Sequence, residues 1–428
     1  MTNWINILPP GFREIFLSSV SLSEGTLFPP GHKPILSRMA SVPEDQNTVR
    51  KFSQFFTPPD VSIYSAAMAI KNNETLDFFD PCVGHGSLLS AAALVLFFTK
   101  GLSGVDLAKK LNGSEIDLDT RDFAINNLTE IICLLSESDS QKNEIKRILK
   151  SKIVCHDFLN FKKDLSHFLV LVNPPYKELK GDSSGNSWIK IIDKILLTPP
   201  VATTMIVPVS ISCATRTSGL RDKIFSLYSE IQAFHHETRP RPLFPKVEQR
   251  ISIVTLRKLK DSTIDSKTGF YLTTGFLRHK SGERLSIWEA EYTNIPFELC
   301  KNIFPKVSPD QKNLYIDYIT GRGRTNLQTV SIALKETGVT EVWVRTTGRY
   351  KFLAQLEKPS TITTKWKLLM VPSFAAEDFV NSFLNGDLMS WFSIFGDGRD
   401  ISVRSLKHEY SFVLKDKKET CLEVSCGT

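Results

Sequence analysis

The chain has 428 residues, is 41% apolar and 23% charged, and carries a formal net charge of +7. Such a composition describes an ordinary soluble globular protein with room for two domains. The seven cysteines are scattered, odd in number and without CxxC spacing, which excludes a disulfide framework and a zinc site and points to reduced thiols in a cytoplasm.

Residues 1–50 are rich in Pro, Ser and Gly, as in Leu8-Pro9-Pro10-Gly11 and Phe28-Pro29-Pro30-Gly31, and are expected to form an extended N-terminal arm. Met1 to Pro10 has no basic region ahead of an apolar core, so no secretory signal is expected. Next, Pro58-Pro59-Asp60 suits the start of a helix over Val61 to Lys71. A strand is expected over Thr75 to Phe79, then a Gly loop, then a helix from Ser87 to Phe98. The window from Leu88 to Phe98 is the most apolar, yet it falls short of the roughly 18 residues of a membrane span. A strand ending at Gly113 to Ile116 leads into a helix from Leu118 to about Leu135, with a second reaching Leu149. Strands fit Lys152 to Cys155, Phe168 to Val172 and Thr203 to Val207. A helix over Ser218 to Tyr228 and strands over Ile231 to His235 and Ile251 to Arg257 follow.

Continuously apolar strands separated by helices imply a parallel sheet covered on both faces. Residues 51–260 are therefore expected to form an α/β Rossmann-like domain with a mainly parallel twisted sheet. In such sheets ligands bind beyond the carboxyl ends of the strands. The polar stretch Lys258 to Thr268 marks the expected boundary, and residues 261–428 are read as a mixed α+β domain. Within it, Gly321 to Lys367 carries nine Lys/Arg against three Glu.

Four constellations stand at strand ends. Asp80-Pro81-Cys82-Val83-Gly84-His85-Gly86 lies between a strand and a helix, where two glycines let the backbone approach a ligand. It lacks the GK[ST] of a phosphate-binding P-loop, and a tight turn alone would explain it equally well. Gly113-Ser114-Glu115-Ile116-Asp117 ends the next strand. Glu115 can accept both hydroxyls of a ribose, while Asp117 suits a helix N-cap. Cys155-His156-Asp157-Phe158 follows the third strand; an N-cap beside a core ring is the simpler account, and a carboxylate and ring reading adenine the functional one. Asn173-Pro174-Pro175-Tyr176 follows Leu169-Val170-Leu171-Val172. A terminating turn explains the prolines but not an amide at the end of a buried strand, where it must find partners. Amide, rigid prolines and aromatic ring suit a planar amine held between acceptors and stacked on the ring.

In this order the motifs resemble those of the S-adenosylmethionine-dependent N6-adenine DNA methyltransferases, and more narrowly their γ class, with an NPPY motif and a C-terminal recognition domain. Phe55-Phe56-Thr57-Pro58-Pro59 resembles the family's FxTP segment, which lies over the methionine moiety. Asp80 to Leu88 resembles (D/E)PACGxGxF, with Cys82-Val83 where Ala-Cys is usual and Leu88 where Phe is usual. Gly113 to Asp117 matches GxEID, Asp157-Phe158 matches DF, and Asn173 to Tyr176 is an unaltered NPPY. Leu243-Phe244-Pro245-Lys246 before Ile251-Ser252-Ile253-Val254 resembles a later motif that offers Phe244 as a second stacking face. The resemblance covers about residues 50 to 258; Trp391 to Asp400 echoes a turn of the family's recognition domains.

The resemblance implies S-adenosylmethionine as cofactor, held by Phe56, Thr57, Pro58, Asp80, Gly84, Gly86, Glu115, Asp157, Phe158 and Asn173, with no metal. It implies double-stranded DNA as partner, with a flipped adenine between Tyr176 and Phe244. Asn173 and the Pro174 carbonyl would accept from its N6 amine while Pro175 stiffens the turn. Arg322, Arg324, Arg345 and Arg349, interleaved with Trp343, Tyr350 and Trp366, become candidate DNA contacts; a solvated basic face is the plainer reading. Rival activities are methylation of RNA adenine or a protein glutamine amide, and a non-catalytic DNA-binding subunit of the same fold. No convincing PD…(D/E)xK arrangement of a fused nuclease stands out in the sequence, which leaves room for a separate restriction endonuclease or defence subunit as partner.

Overall fold

The structure is a computed structural model and describes residues 4–25, 33–41, 57–73, 77–137, 139–176, 186–245, 247–258, 269–322, 324–328, 338–346, 353–363, 365–396, 401 and 404–414. The chain divides into two compact units, Met1–Phe304 and Pro305–Thr428.

The first unit contains helices α1 (Pro10–Glu24), α2 (Lys33–Met39), α3 (Pro59–Ile70), α4 (Ser87–Lys100), α5 (Gly104–Lys110), α6 (Leu118–Ser136), α7 (Lys142–Lys152), α8 (Ser187–Ile195), α9 (Ser218–Leu227) and α10 (Arg284–Trp288). Its strands are β1 (Phe78–Asp80), β2 (Leu111–Glu115), β3 (Ile153–Cys155), β4 (Leu169–Val172), β5 (Ala202–Pro208), β6 (Glu230–His236), β7 (Ile251–Arg257), β8 (Phe270–Leu277) and β9 (Thr293–Pro296). They form one sheet in the order β3-β2-β1-β4-β5-β7-β6-β8-β9. Neighbours from β3 to β5 run parallel, and β7 inserts antiparallel between β5 and β6. This is a Rossmann-like, mainly parallel α/β sheet. Both faces of its central strands are covered: all four residues of the apolar run β4 and all seven of β5 are buried.

Two departures from the sequence reading enlarge this unit. Within residues 1–50, α1 is a helix, not an extended arm, and its Phe12, Ile15 and Phe16 are fully buried in the core of the sheet domain. Their spacing is that of a helical face. At the other end, β8 pairs parallel with β6 and β9 antiparallel with β8, so the sheet continues past the polar stretch expected to end it.

A buried polar knot ties these additions together. Asp60, fully buried at the first turn of α3, accepts from Arg284 Nε at 2.7 Å and Nη2 at 3.0 Å, Trp288 Nε1 at 2.9 Å and Ser23 Oγ at 2.7 Å. The Arg284 backbone N–H donates to Glu24 Oε1 at 2.8 Å. Removing the cation would leave a buried carboxylate unpaired, which costs about 3–5 kcal/mol. Arg284→Met is therefore expected to lower the stability of this unit by that amount in denaturant unfolding. A change below about 1 kcal/mol would show that the pair does not hold the additions in place.

The second unit has helices α11 (Lys312–Thr320), α12 (Ser373–Leu384) and α13 (Asp387–Phe395). Strands β10 (Thr325–Asn326) and β14 (Ser411–Phe412) form a short antiparallel ladder. Strands β11 (Val339–Arg345), β12 (Leu353–Gln355) and β13 (Trp366–Pro372) form an antiparallel sheet in the order β12-β11-β13. Phe379, Tyr410 and Phe412 are fully buried in its core. Among the described residues, no helix of either unit is long and apolar enough to cross a membrane.

Candidate active site

The carboxyl ends of four parallel strands meet along one edge of the sheet. Asp80 ends β1, Glu115 ends β2, Asp157 lies two residues beyond β3, and Asn173 directly follows β4. Strand order reverses between β1 and β4, which is where an open parallel sheet leaves a crevice. A cavity of about 300 Å³ lies at this edge, and Thr57, Asp80, Gly84, Glu115, Asp157, Phe158, Asn173, Pro174 and Pro175 are part of its wall.

The loop after β1 is held by its own backbone. Cys82 N–H donates to Asp80 Oδ1 at 2.9 Å, Val83 N–H to the Ser114 carbonyl at 3.1 Å, and Gly86 N–H to the Val83 carbonyl at 2.9 Å. Gly84 and Gly86 have φ of 52° and 85°, conformations that strain any residue with a Cβ. Gly113 lets β2 lie against this loop, since a Cβ there would fall 2.3 Å from Val83 Cγ2.

Asp80 is fully buried, and its Oδ2 has no hydrogen-bond partner among the described residues. Burial pushes its carboxyl up to about 8, and the neighbouring Glu115 carboxylate adds to the shift. An unpartnered buried acceptor on a cavity wall calls for a ligand N–H or cation. Glu115 is ordered in advance: Oε2 accepts Gly84 N–H at 2.8 Å, and Oε1 accepts Ile116 N–H at 3.0 Å and Asp117 N–H at 3.2 Å. Burial raises its carboxyl against the pull of these N–H groups. Three of the carboxylate's roughly four acceptor sites are taken, and the one left on Oε2 can still receive a hydroxyl donor. Asp117 caps α6, with Oδ2 accepting Thr120 N–H at 2.9 Å.

Asp157 accepts Leu159 N–H at 3.0 Å and the Asn160 side-chain amide at 2.8 Å, which holds it at the cavity. Phe158 packs 6.1 Å from Phe79, centroid to centroid. Ile116 also joins the wall although its side chain is 57% exposed. Its position, an isoleucine between two acids on a turn, was the only signal for it in the sequence. An exposed branched side chain there offers an apolar face to a planar ligand.

The Asn173 carboxamide is bonded at both ends. Nδ2 donates to Thr57 Oγ1 at 3.0 Å, and Oδ1 accepts the Tyr176 hydroxyl at 2.9 Å. The Pro175 carbonyl accepts from Ser187 Oγ, the first residue of α8, at 2.5 Å.

Several expected site residues lie elsewhere. The two rings assigned to a base sandwich do not line the cavity. The Tyr176 hydroxyl turns toward Asn173 and the Ile206 carbonyl, 3.0 Å away. Phe244 is 3% exposed and belongs to the same core cluster as Leu243, Val247 and Ile251, because burying an aromatic ring there is the stronger demand. Pro58 and Gly86 are the N-cap residues of α3 and α4, neither on the wall itself. Phe56 and Arg349 lie outside the described residues.

In the second unit Arg322 is exposed and Arg345 half-buried on β11. Arg324 is not available as a DNA contact. Its side chain is 6% exposed, its Nη2 pairs with Asp387 Oδ2 at 2.5 Å and donates to the Ser411 carbonyl at 2.9 Å, and its guanidinium lies 4.2 Å over the Tyr318 ring. Asp387 also accepts from the Tyr318 and Tyr410 hydroxyls, at 2.9 and 2.8 Å. A half-buried carboxylate recruits the nearest cation, and this takes Arg324 out of the basic surface.

Comparison with known proteins adds a family match over part of the chain. Residues 43–188 match the model described as N-6 DNA Methylase. No curated protein matches the chain. Among solved structures, the ATP-dependent Type ISP restriction-modification enzyme LlaBIII bound to DNA is 15% identical, with 56% of this chain and 21% of that chain covered and a TM-score of 0.42. The methyltransferase subunit of a type I restriction-modification system from Streptococcus thermophilus is 11% identical, covering 64% and 54%, with a TM-score of 0.36. A nuclease-deletion mutant of the Type ISP enzyme LlaGI, in complex with a DNA substrate mimic, is 11% identical, covering 71% and 40%, with a TM-score of 0.44. The chain thus spans less than two thirds of each of these proteins, at likenesses too distant to bear on its chemistry. The wall of the cavity, Ile191 excepted, falls within the segment 43–188 that matches the N-6 DNA Methylase family.

Proposed function

We propose that this chain transfers a methyl group from S-adenosylmethionine to the N6 amine of adenine at a specific sequence in double-stranded DNA, as an enzyme of the γ class and NPPY type. The observation that carries the reading is the delivery of Asn173, by β4, into the cavity that also holds the buried carboxyls of Asp80 and Glu115.

The residues present fit the cofactor. The unpartnered Oδ2 of Asp80 suits its ammonium group, the remaining acceptor site of the preordered Glu115 carboxylate a ribose hydroxyl, and Asp157, Phe158 and Ile116 its adenine. When bound there, S-adenosylmethionine supplies an electrophilic methyl group. The chain's own work is orientation. The lone pair of an adenine amine is delocalised into the ring, so the amine is a poor nucleophile. Asn173 Oδ1 and the Pro174 carbonyl, as acceptors from its two N–H bonds, would draw the nitrogen out of the ring plane. Preorganised acceptors of this kind act through position and fixed dipoles, without a general base. A paired adenine cannot reach them, so the base must leave the helix.

Sequence recognition would fall to the second unit, where Lys365 and Lys367 flank the half-buried Trp366, with Arg322 exposed. Arg322→Glu is expected to reduce the salt slope of DNA binding by about one or two charges. Arg324→Glu is expected to lower the melting temperature instead, since it would set two carboxylates together. The reverse pattern would overturn the assignment of the two arginines. A separate restriction or defence subunit as partner is part of this proposal.

The direct test is to sequence DNA from cells expressing the chain with detection of N6-methyladenine. Methyl groups at one recurrent sequence, absent from cells without the chain, are the expected result. Unmodified DNA beside methylated tRNA or rRNA, or methylated release factor, would replace it with one of the rival activities.

A further inference from the structure

We propose that the open edge of β13 is an interface between copies of this chain. Two molecules join there edge to edge, antiparallel about a two-fold axis at Leu369, and their three-stranded sheets become one continuous sheet. The proposal concerns the second unit alone and does not depend on methyl transfer.

β13 is an edge strand. It pairs with β11 along all seven of its residues, and no described strand lies along its other side. Antiparallel neighbours alternate between pairs that exchange backbone hydrogen bonds and pairs whose N–H and C=O groups face away. Two bonds set that alternation here. Thr346 N–H donates to the Lys365 carbonyl at 3.1 Å and Ser373 N–H to the Gly338 carbonyl at 2.9 Å, one at each end of the ladder. Between them, Lys367, Leu369 and Val371 turn their backbone groups to β11, while Trp366, Leu368, Met370 and Pro372 turn theirs to the open edge. Pro372 has no N–H, and the Trp366 N–H is already given to the Thr363 carbonyl at 3.0 Å. The donors left on the edge are those of Leu368 and Met370. Unpaired groups of this kind are a template for another strand.

The strand is complementary to itself. The register centred on Leu369 overlaps all seven residues and sets Leu368 opposite Met370 of the second copy. Each such pair exchanges both of its backbone bonds, so the open donors of both strands are used. The side chains suit the same register. Leu368 and Met370 are 43% and 49% exposed although apolar, on the sheet face away from the buried Leu369 and Val371. Across the axis they become cross-strand neighbours, next to the half-buried Trp343 that pairs with Leu368. Lys367, the one charge on the strand, falls opposite Val371, so no like charges meet.

The experiment is sedimentation equilibrium of the full chain without DNA, from about 1 to 100 µM. Wild type is expected to approach twice the chain mass. Leu368→Lys with Met370→Lys brings like charges face to face across the axis and should weaken the dimer at least about a hundredfold. Leu368→Lys with Met370→Glu brings opposite charges face to face and should restore most of it, but only in the register centred on Leu369. Both side chains are exposed, so circular dichroism should show the wild-type fold in both variants. In the wild type, exchange of the Leu368 and Met370 amide hydrogens should slow as concentration rises. A chain that stays monomeric would overturn the proposal; protected amides in that monomer would assign the edge to another segment of the same chain, and unprotected ones would leave it to a strand of a foreign protein. A dimer indifferent to the two lysines would also overturn it, as would one that lysine with glutamate does not restore.

Discussion

Asn173→Ala is expected to reduce methyl transfer to adenine by at least about 10²–10³-fold, the loss seen when one preorganised hydrogen-bonding group is removed from a reacting centre. Binding of S-adenosylhomocysteine should change little, because the residues assigned to the cofactor's polar groups, Asp80 and Glu115, are ordered by other partners. Asp80 is held by Cys82 N–H, and Glu115 by the N–H groups of Gly84, Ile116 and Asp117. The truncation removes the acceptor and frees Thr57 Oγ1, which can turn to water, and the Tyr176 hydroxyl, which keeps the Ile206 carbonyl. Stability should therefore fall modestly, by about 1 kcal/mol. Single-turnover methylation, calorimetry and thermal unfolding on one preparation separate the three quantities. Full activity in this variant would sink the proposed reaction.

The second large effect is on pH. In the ligand-free protein the Asp80 carboxyl, buried and beside Glu115, titrates near 8, so it is mostly protonated at neutral pH. A ligand ammonium favours the carboxylate and lowers that pKa, so binding must release a proton. Affinity for S-adenosylhomocysteine is expected to rise with pH, by up to about tenfold per unit between about pH 6 and 8, and to level off above. The same group affects folding with a definite sign. Its folded pKa is raised above the unfolded value of about 3.9, so the folded state binds more protons across that window. Its contribution to stability declines as pH rises from about 4 to 8. Asp80→Asn should flatten both profiles and weaken binding. Calorimetry at several pH values, in buffers of different ionisation enthalpy, counts the proton; a wild-type affinity flat between pH 6 and 8 would show that Asp80 does not meet a cation.

Much of the first unit is legible along the chain because its signals are local. The strand expected over Ile251 to Arg257 has those bounds, the one expected over Phe168 to Val172 begins one residue later at Leu169, and Ser87 and Leu118 do start helices. Some local signals are masked by stronger ones. Phe12, Ile15, Phe16 and Val20 carry a helical period, but the surrounding Pro and Gly read as an extended arm. Trp188, Ile191, Ile192 and Ile195 form the buried face of α8, a pattern the sequence holds and the strand-centred reading passed over.

By itself the sequence determined that four polar constellations would stand at the ends of four strands, in the order Asp80, Glu115, Asp157, Asn173. Strand termination by Gly, Pro and acid is a matter of neighbouring residues, and parallel strands carry their ends to a common edge. Only the tertiary structure decided what those residues touch. Thr57 meeting Asn173, Tyr176 turning its hydroxyl inward, Phe244 sinking into the core and Arg324 joining Asp387 all depend on partners brought together by burial. An apolar ring or a buried charge goes wherever desolvation is best compensated, and that place is set by segments distant in sequence.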